Sequence, residues 1–336
     1  MDIYPWRGLM VDTARHMPSL TWLYRTVDTL NSLNFSTLHV HLSDDQGFRF
    51  ESKKFPRLNE IGSWRRETAV GKNFPSERSP SVVYEGDGVR YGGYYTQEEL
   101  RGLVSYARGK NITVVPEIDI PGHTSALLAS YPNLGVGAVP REVATWWGVF
   151  KCGLADTPQT HEFVRELFTE LCEVFDSPYI HIGGDEVQPG VYSNPGSPDR
   201  ILKTALDTVR KHGRTPIVWD EAASFALSEG AVIMNWRKLG IGIEHLSRGG
   251  RVIFCPSQFF YFDFYQKDPA TEPLAIGGYL PAEIVAGFKL GPDIIQRYGD
   301  RILGIQANLW TEYMPTEEHM DYMLLSRLRM MSTLRP

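Results

Sequence analysis

The segment YIHIGGDE, residues 179–186, places two adjacent carboxylates directly after a short, mostly apolar run. Such a run is typical of a parallel strand that is buried on both faces. The two glycines allow a sharp turn, and Asp185 and Glu186 follow it. Similar runs recur along the chain, and polar side chains follow nearly all of them. The runs lie at residues 8–11, 37–42, 112–116, 179–182, 216–219, 231–234, 251–254 and 302–306.

Longer amphipathic segments lie between these runs and read as helices. The second of them opens with a Thr96-x-x-Glu99 capping box. Eight alternations of strand and helix predict an α/β fold, the (β/α)8 TIM barrel. An open doubly wound sheet is the competing fold, but no GxGxxG motif follows the first strand. The predicted helices span residues 19–32, 96–109, 160–175, 199–213, 240–249 and 316–331.

The chain has 336 residues, whereas a typical barrel of this kind needs about 250. Two long βα loops after strands 2 and 3, residues 45–95 and 123–159, account for the surplus. We expect both loops to leave from the catalytic mouth and to wall the pocket, and Trp64 or Trp146 and Trp147 to help set what sits beyond the group bound inside it. The whole chain, 1–336, is then expected to be one catalytic domain.

Composition excludes several classes of function. The formal net charge of −6, without a long basic run, argues against a nucleic-acid partner. No stretch of about 20 apolar residues would span a membrane, and the N-terminus does not resemble a signal peptide. Three cysteines without CxxC spacing indicate neither a disulfide framework nor a zinc site. The oligomeric state is not indicated.

The polar residues after the strands would all face one mouth of a barrel, where such enzymes keep their active sites. Asp185 and Glu186 are close enough for one carboxylate to raise the pKa of the other, which suits proton transfer. A helix N-cap explains the same pair equally well. His123, after the third strand, could pair with Asp44, after the second.

The pair His39 and His41 on strand 2 allows a different hypothesis. Two histidines at i and i+2 share one face of a strand, as in metal-dependent amidohydrolases. That chemistry needs further histidine ligands after later strands, where Asp and Trp stand instead, so no metal is expected. His39 and His41 are better interpreted as buried hydrogen-bonding groups. Three tryptophans at the mouth suit the apolar face of a sugar ring: Trp219, Trp236 and Trp310.

Five motifs resemble those of the family-20 β-N-acetylhexosaminidases and occur in the same order over essentially the whole chain. This resemblance implies a barrel that removes terminal β-linked GlcNAc or GalNAc from a glycan or chitooligosaccharide, without a cofactor. The family's mechanism is substrate-assisted, because the 2-acetamido oxygen of the substrate attacks the anomeric carbon. The motifs are DTARH (12–16), HVHLSDDQG (39–47), PEIDIPGH (116–123), HIGGDE (181–186) and LWTE (309–312).

The resemblance also implies roles for individual residues. Glu186 would protonate the leaving oxygen and then activate water, and Asp185 would orient the acetamido group. Tyr261 would donate a hydrogen bond to the acetamido oxygen. Asp44 and His123 would form a relay to Glu186. The terminal sugar would be bound by Arg15, Asp263 and Glu312, within walls of Trp219, Trp236 and Trp310.

The chain departs from the family in three places. The smaller α/β domain that often precedes the barrel is expected to be absent, and the tail at residues 331–336 lacks the usual Glu and Trp. Many members have Trp where residues 275–279 read AIGGY, so stacking beyond the cleavage point is not expected. The family suggests a periplasmic or secreted enzyme. A carbohydrate-binding protein on an inactive scaffold and a metal-dependent barrel hydrolase are the alternatives; intact Asp185, Glu186 and Tyr261 argue against the first.

Overall fold

Eight parallel strands close into a barrel in the computed structural model, which describes residues 4–75 and 79–336. Each strand pairs with the next one along the chain, and the eighth pairs with the first. This confirms the predicted fold and all eight predicted runs. The strands are β1 Trp6–Asp12, β2 Thr37–His41, β3 Thr113–Ile120, β4 Tyr179–Gly183, β5 Thr215–Trp219, β6 Val232–Asn235, β7 Arg251–Phe254 and β8 Ile302–Leu309.

Helices surround the barrel, and all six predicted ones are present within two residues of their expected bounds. The capping box is formed as predicted: Thr96 accepts from the backbone of Glu99, whose side chain accepts from Thr96. Five short helices were not predicted. The helices are α1 Leu20–Ser32, α2 Gln97–Gly109, α3 Ser125–Ser130, α4 Pro158–Val174, α5 Ser197–Lys211, α6 Ala223–Glu229, α7 Leu239–Ser247, α8 Ser257–Phe260, α9 Ala282–Ala286, α10 Pro292–Tyr298 and α11 Glu317–Met331.

The apolar core has two parts. A large shell of buried aliphatic and aromatic side chains lies between the strands and the helices. A smaller cluster, with Val115, Ile217 and Ile253, includes side chains from inside the barrel. Glu117 lies two residues after Val115 and is also fully buried, because alternate residues of a strand share a face. The barrel interior therefore changes from apolar to charged toward the carboxyl ends of the strands.

The two long loops leave from the carboxyl ends of β2 and β3, as predicted. The first includes a hairpin of Ser43–Asp44 with Gly47–Phe48, and the second includes α3 and a hairpin of Gly135–Gly137 with Cys152–Leu154. Residues 76–78 of the first loop lie outside the described residues. Residues 1–3 also lie outside the described residues. The expectations of one domain over 1–336 and of no signal peptide rest partly on them. Within the described chain, no helix is long and apolar enough to cross a membrane.

Candidate active site

A cavity of about 260 Å³ opens at the carboxyl ends of the strands. It brings together every predicted site residue except Trp219, and within 4–75 and 79–336 no residue from the opposite end of the barrel lines it. The residues that line the cavity come from segments that are far apart in the sequence. The lining residues are Arg15, Asp44, His123, Asp185, Glu186, Trp236, Ser257, Tyr261, Asp263, Phe264, Ile276, Trp310 and Glu312.

The turn after β4 carries the two adjacent carboxylates into this cavity. Gly183 has a φ of 78°, and a Cβ at this position would lie 1.7 Å from Asp119 Oδ1, so only glycine fits. The Gly184 N–H donates to the same Asp119 oxygen at 3.2 Å. Glu186 itself has a φ of 46°, a conformation that costs energy for a residue with a side chain. The surrounding structure thus holds the Asp185–Glu186 turn against strain.

The two carboxylates have different electrostatic surroundings. Burial and the charge of Asp119 raise the pKa of Asp185 well above its usual value. Burial also acts on Glu186, but a hydrogen bond to His123 and the charge of that ring outweigh it and lower the pKa of Glu186. The pair was expected to contain one raised pKa, and the raised one belongs to Asp185. Asp119 was not singled out in the sequence, because its contact with β4 is long-range.

His123 connects Glu186 with Asp44, as the sequence suggested. Its Nε2 lies 3.2 Å from Glu186 Oε2, and its Nδ1 lies 3.1 Å from Asp44 Oδ1 and 3.0 Å from Asp45 Oδ2. Burial opposes a charge on this ring, but Asp44 and Asp185 raise the pKa of His123 well above its usual value. In the free protein, the proton shared by this pair therefore resides on His123 rather than on Glu186.

Arg15 is positioned by the turn that follows β1. The Asp12 carboxylate accepts from the backbone N–H groups of Ala14 and Arg15, at 2.9 and 3.2 Å, and so fixes the turn. The guanidinium reaches Asp44 Oδ1 at 2.8 Å and lies 3.8 Å from Glu312 Oε1. It therefore lies between the relay residue Asp44 and a predicted sugar ligand.

Tyr261 and Asp263 lie on a loop between β7 and β8. Phe262 N–H donates to Asn308 O at 2.8 Å, which ties the loop to the end of β8. From α11, the buried Arg327 donates to the backbone oxygens of Phe262 and Phe264, the latter at 2.9 Å. Burial raises the pKa of Tyr261 well above its usual value, so the phenol keeps its proton.

Asp263 Oδ1 and Glu312 Oε2, like Asp185 Oδ1, are buried carboxylate oxygens in the cavity that have no hydrogen-bond donor among the described residues. Buried acceptors without a donor are uncommon in folded proteins and call for an explanation. Burial raises the pKa of Asp263 and that of Glu312, the latter to about 7 against the opposing charge of Arg15. A ligand with several hydroxyl groups would supply the donors.

The aromatic walls differ from the prediction in one residue. Trp236 stacks on Tyr261 with ring centroids 5.8 Å apart, and Trp310 lies under the Arg15 guanidinium at 5.3 Å. Trp219 does not line the cavity. As the last residue of β5 it points into the barrel interior, where its Nε1–H donates to Glu117 Oε1 at 2.8 Å.

The tryptophans of the long loops do not line this cavity, and the expectation that Trp64, Trp146 or Trp147 acts beyond the terminal sugar stays a prediction. Trp147 lies instead in a neighbouring cavity of about 490 Å³ that shares Glu312 with the first, and Trp64 lies in another one. Two of these rings make cation–π contacts: Arg65 of the first loop lies over Trp147 of the second, and Arg90 lies over Trp64 within the first loop. Among the described residues of 45–95 and 123–159, only His123 lines the first cavity, and Asp44 directly precedes the first of these loops.

Sequence reasoning missed three lining residues, Ser257, Phe264 and Ile276, and the acid Glu221, which accepts from Trp236 Nε1–H at 2.9 Å. The first three lie in the connection between β7 and β8, and as uncharged residues outside the recognised motifs they gave no signal in the sequence. Glu221 follows strand 5 directly, and that position could have identified it. Burial and the charge of Asp185 raise the pKa of Glu221 to about 8.

Three groups of acids and histidines are close enough to hold a metal ion within the described chain: His39–Glu117–His181, Asp44–Asp45–His123 and Asp119–His123–Asp185. In the first, His39 Nε2 and His181 Nδ1 lie 3.1 and 2.9 Å from the oxygens of Glu117. In the second, the ring of His123 contacts both acids. These distances pair imidazoles with carboxylates directly. The expectation of a metal-free site stays a prediction.

Comparison with known proteins agrees with the geometry of this cavity. Residues 4–334 match the family described as "Glycosyl hydrolase family 20, catalytic domain". A β-hexosaminidase of Porphyromonas gingivalis is 36% identical over 348 residues, which cover 97% of this chain and 42% of that protein. The chain spans about half the length of the curated relatives it matches.

Two solved structures that superpose on this chain are also hexosaminidases. The crystal structure of a β-N-acetylhexosaminidase superposes with a TM-score of 0.86 at 27% identity, covering 99% of this chain and 72% of the other. A mutant β-hexosaminidase of Streptomyces plicatus, in complex with its product GlcNAc, superposes with a TM-score of 0.83 at 30% identity. That match covers 99% of this chain and 64% of the other.

Proposed function

The chain belongs to glycosyl hydrolase family 20, and from that premise we propose that it is an exo-acting, retaining β-N-acetylhexosaminidase. It removes terminal β-linked GlcNAc or GalNAc from glycans or chitooligosaccharides. The observation that carries the proposal is that one small cavity is lined by Asp185, Glu186 and Tyr261 together with Asp263 and Glu312. Each of the last two has a buried oxygen that lacks a hydrogen-bond donor. Its volume of about 260 Å³ suits one sugar ring better than an extended chain.

Adjacent carboxylates favour a substrate-assisted mechanism. Because Asp185 and Glu186 are neighbours in the chain, they are poorly placed to act from the two faces of a sugar ring, as a general acid and a protein nucleophile must. The 2-acetamido oxygen of the substrate attacks the anomeric carbon instead. His123, held by Asp44, passes its proton to Glu186, and Glu186 gives this proton to the glycosidic oxygen, which takes the electron pair of the breaking bond. Glu186 then accepts a proton from the water that opens the oxazolinium ion, and the anomeric configuration is retained.

Asp185 and Tyr261 act on the charge that develops in the acetamido group. Tyr261 O–H donates to the acetamido oxygen, and Asp185 faces the nitrogen, which becomes positive in the transition state. In the free protein burial favours the protonated form of Asp185. The cationic oxazolinium favours its ionised form, so this attraction is stronger in the transition state than in the ground state.

The remaining residues bind the sugar. Arg15, Asp263 and Glu312 are suited to the hydroxyl groups, and Trp236 and Trp310 to the apolar ring face and the acetamido methyl group. The proposal includes no metal or organic cofactor. Turnover should be unchanged after EDTA treatment, and a loss restored by a divalent ion would favour a metal-dependent hydrolase. We also propose a periplasmic or secreted location, which fractionation of the source cells would test.

The direct experiment compares an aryl β-GlcNAc with the matching aryl β-glucoside, which lacks the acetamido group. The unchanged chain should hydrolyse the first and leave the second nearly untouched. Glu186→Gln should lower turnover of a poor leaving group about 1,000-fold, within the usual contribution of a general acid. Glu283→Gln, on the exposed face of α9, is the control and should behave like the unchanged chain. Unchanged turnover by Glu186→Gln would refute the assignment of the acid.

A further inference from the structure

A line of alternating acidic and basic side chains runs from the cavity into the centre of the barrel. It begins at Glu186 and continues through His123, Asp44 and His41 to Glu117. The successive contacts are 3.2, 3.1, 2.8 and 2.5 Å long. His41 and Glu117 are fully buried and lie outside the cavity. The proposed mechanism uses the first three residues and gives the last two no role.

The geometry of His41 requires a proton on both ring nitrogens. Its Nδ1 faces Glu117 Oε2 and its Nε2 faces Asp44 Oδ2, and ionised carboxylates only accept hydrogen bonds. A neutral imidazole would turn a lone pair toward one of the two acids. Burial opposes the charge, but Glu117 and Asp44 raise the pKa of His41 to about 10.

Glu117 is itself held in place from several sides. Trp219 Nε1–H donates to its Oε1 at 2.8 Å, and His39 and His181 contact its two oxygens at 3.1 and 2.9 Å. These groups, with Asp44 on the other side, are the titratable and polar neighbours that bear on the charge of His41. A carboxylate fixed on so many partners cannot rotate away from His41.

Asp44 receives cations on both oxygens. His41 occupies Oδ2, while Arg15 and His123 occupy Oδ1 at 2.8 and 3.1 Å. Because His41 fixes Oδ2, the other oxygen must face His123. Although burial opposes ionisation, Arg15 and His123 hold the pKa of Asp44 far below its usual value.

We propose that His41 and Glu117 are positioning residues for the general acid: they keep Asp44 ionised and turned toward His123, and thereby control the passage of a proton between His123 and Glu186. This inference rests on the proposed function. The proton moves from His123 Nε2 to Glu186 Oε2, and from there to the glycosidic oxygen as its bond to the anomeric carbon breaks. His123 is left neutral, with Nδ1–H still donated to Asp44. The proton taken from water later returns along the same contacts.

The positive charge of His41 has a specific effect on this transfer. Asp44 alone would stabilise His123 as an imidazolium and so withhold its proton from Glu186. The cation behind Asp44 offsets part of that attraction, which makes the proton easier to release. Removing the charge should therefore impair those reactions that need protonation of the leaving group, and spare the others.

The test uses His41→Gln with two substrates of the same terminal sugar. A dinitrophenyl leaving group departs without a proton, whereas the sugar alcohol released from diacetylchitobiose needs one. Turnover of diacetylchitobiose should fall about 100-fold, within the range of general acid catalysis, while turnover of the dinitrophenyl glycoside changes little. Glu117→Gln, which leaves the ring of His41 in place, should show the same selectivity. Equal loss on both substrates would show a merely structural role and overturn the inference.

His39→Gln is the matched control. His39 is equally buried in the barrel and contacts Glu117, but it has no contact with Asp44. It should lose turnover, if at all, equally on both substrates. A selective loss in this control as large as that of His41→Gln would also overturn the inference.

A measurement on the unchanged chain covers the case in which the variants do not fold. The ring ¹⁵N signals of His41 near neutral pH should show both nitrogens protonated, and a neutral ring would overturn the inference. Failure of the proposed function is distinct, because the unchanged chain would then hydrolyse neither substrate. If the unchanged chain is active and Glu186→Gln shows the selectivity but His41→Gln does not, the inference alone fails.

Discussion

The two halves of the cavity are built differently. The half contributed by β1–β4 contains Arg15, Asp44, His123 and Asp185–Glu186, linked by ion pairs and hydrogen bonds. The half contributed by β6–β8 contains aromatic rings and the acids Asp263 and Glu312, each with a buried oxygen that lacks a donor. The first half is paired internally except for Asp185 Oδ1, which also lacks a donor, and the acids of the second half are satisfied only when something binds.

This difference separates chemistry from recognition. Groups that are already paired with one another need little rearrangement when charge develops, which is what transition-state stabilisation requires. Asp263 and Glu312 await donors from sugar hydroxyl groups that do not react, so they contribute to ground state and transition state alike and act on KM. Except at the sugar ligand Arg15, substitutions in the β1–β4 half should therefore lower kcat, and most substitutions in the β6–β8 half should raise KM.

Asp185→Asn is expected to have the largest effect. The amide keeps the shape of Asp185 but loses the charge that stabilises the oxazolinium, so kcat on an aryl β-GlcNAc should fall on the order of 1,000-fold. KM should change little. Steady-state kinetics gives both values, and a change in KM alone would refute this role for Asp185.

Tyr261→Phe should be an exception to this division between kcat and KM, because Tyr261 belongs to the β6–β8 half but acts on the reacting group. Loss of one hydrogen bond to the acetamido oxygen should lower kcat about 100-fold. The ring should remain stacked on Trp236, so the fold is retained. If kcat is unchanged and only KM rises, Tyr261 is a binding residue like its neighbours.

Glu312→Gln should raise KM about 10-fold with little change in kcat, since hydrogen bonds to charged groups are stronger than those to neutral ones. Burial raises the pKa of Glu312 to about 7 from a usual value of 4.5. The KM difference should therefore be larger at pH 8 than at pH 5.5. A pH-independent difference would contradict the assignment.

The same pKa shift has a consequence for stability. A carboxyl with a raised pKa contributes its full stability below pH 4.5, and this is lost as the pH rises through about 7. The Tm of the unchanged chain should fall over this range, and the fall should be smaller in Glu312→Gln. Thermal unfolding at a series of pH values measures both.

Ile276→Trp should have the smallest effect. Ile276 lines the cavity and is well exposed, at a segment where many family members have Trp. A large ring there should stack on the sugar beyond the cleavage point and lower KM for diacetylchitobiose about 2- to 10-fold, the range expected for one aromatic contact. KM for a methyl glycoside should not change. Equal changes for both substrates would exclude stacking on the second sugar.

Much of this arrangement was predictable because it follows strand ends. The buried strands and the polar residues after them identify a barrel mouth, and family motifs assign most of the cavity. Trp219 was misplaced because the direction of a side chain at a strand end depends on the barrel register. The directions of Trp147 and Trp64 could not be predicted, because they depend on long-range cation–π contacts with Arg65 and Arg90. The high pKa of Asp185 could not be predicted, because it depends on Asp119, a partner 66 residues away. The four short helices after β5 were missed because they are too short to show a helical repeat of apolar residues.

The account depends most on the substrate supplying the nucleophile while the β1–β4 half supplies the proton and the counter-charge. Aryl glycosides with a progressively fluorinated 2-acetamido group test this directly, because each fluorine makes the acetamido oxygen a weaker nucleophile. The account predicts that kcat falls steeply with each fluorine, while KM changes little. Values of kcat that do not depend on fluorination would contradict it and would point to a nucleophile from the protein.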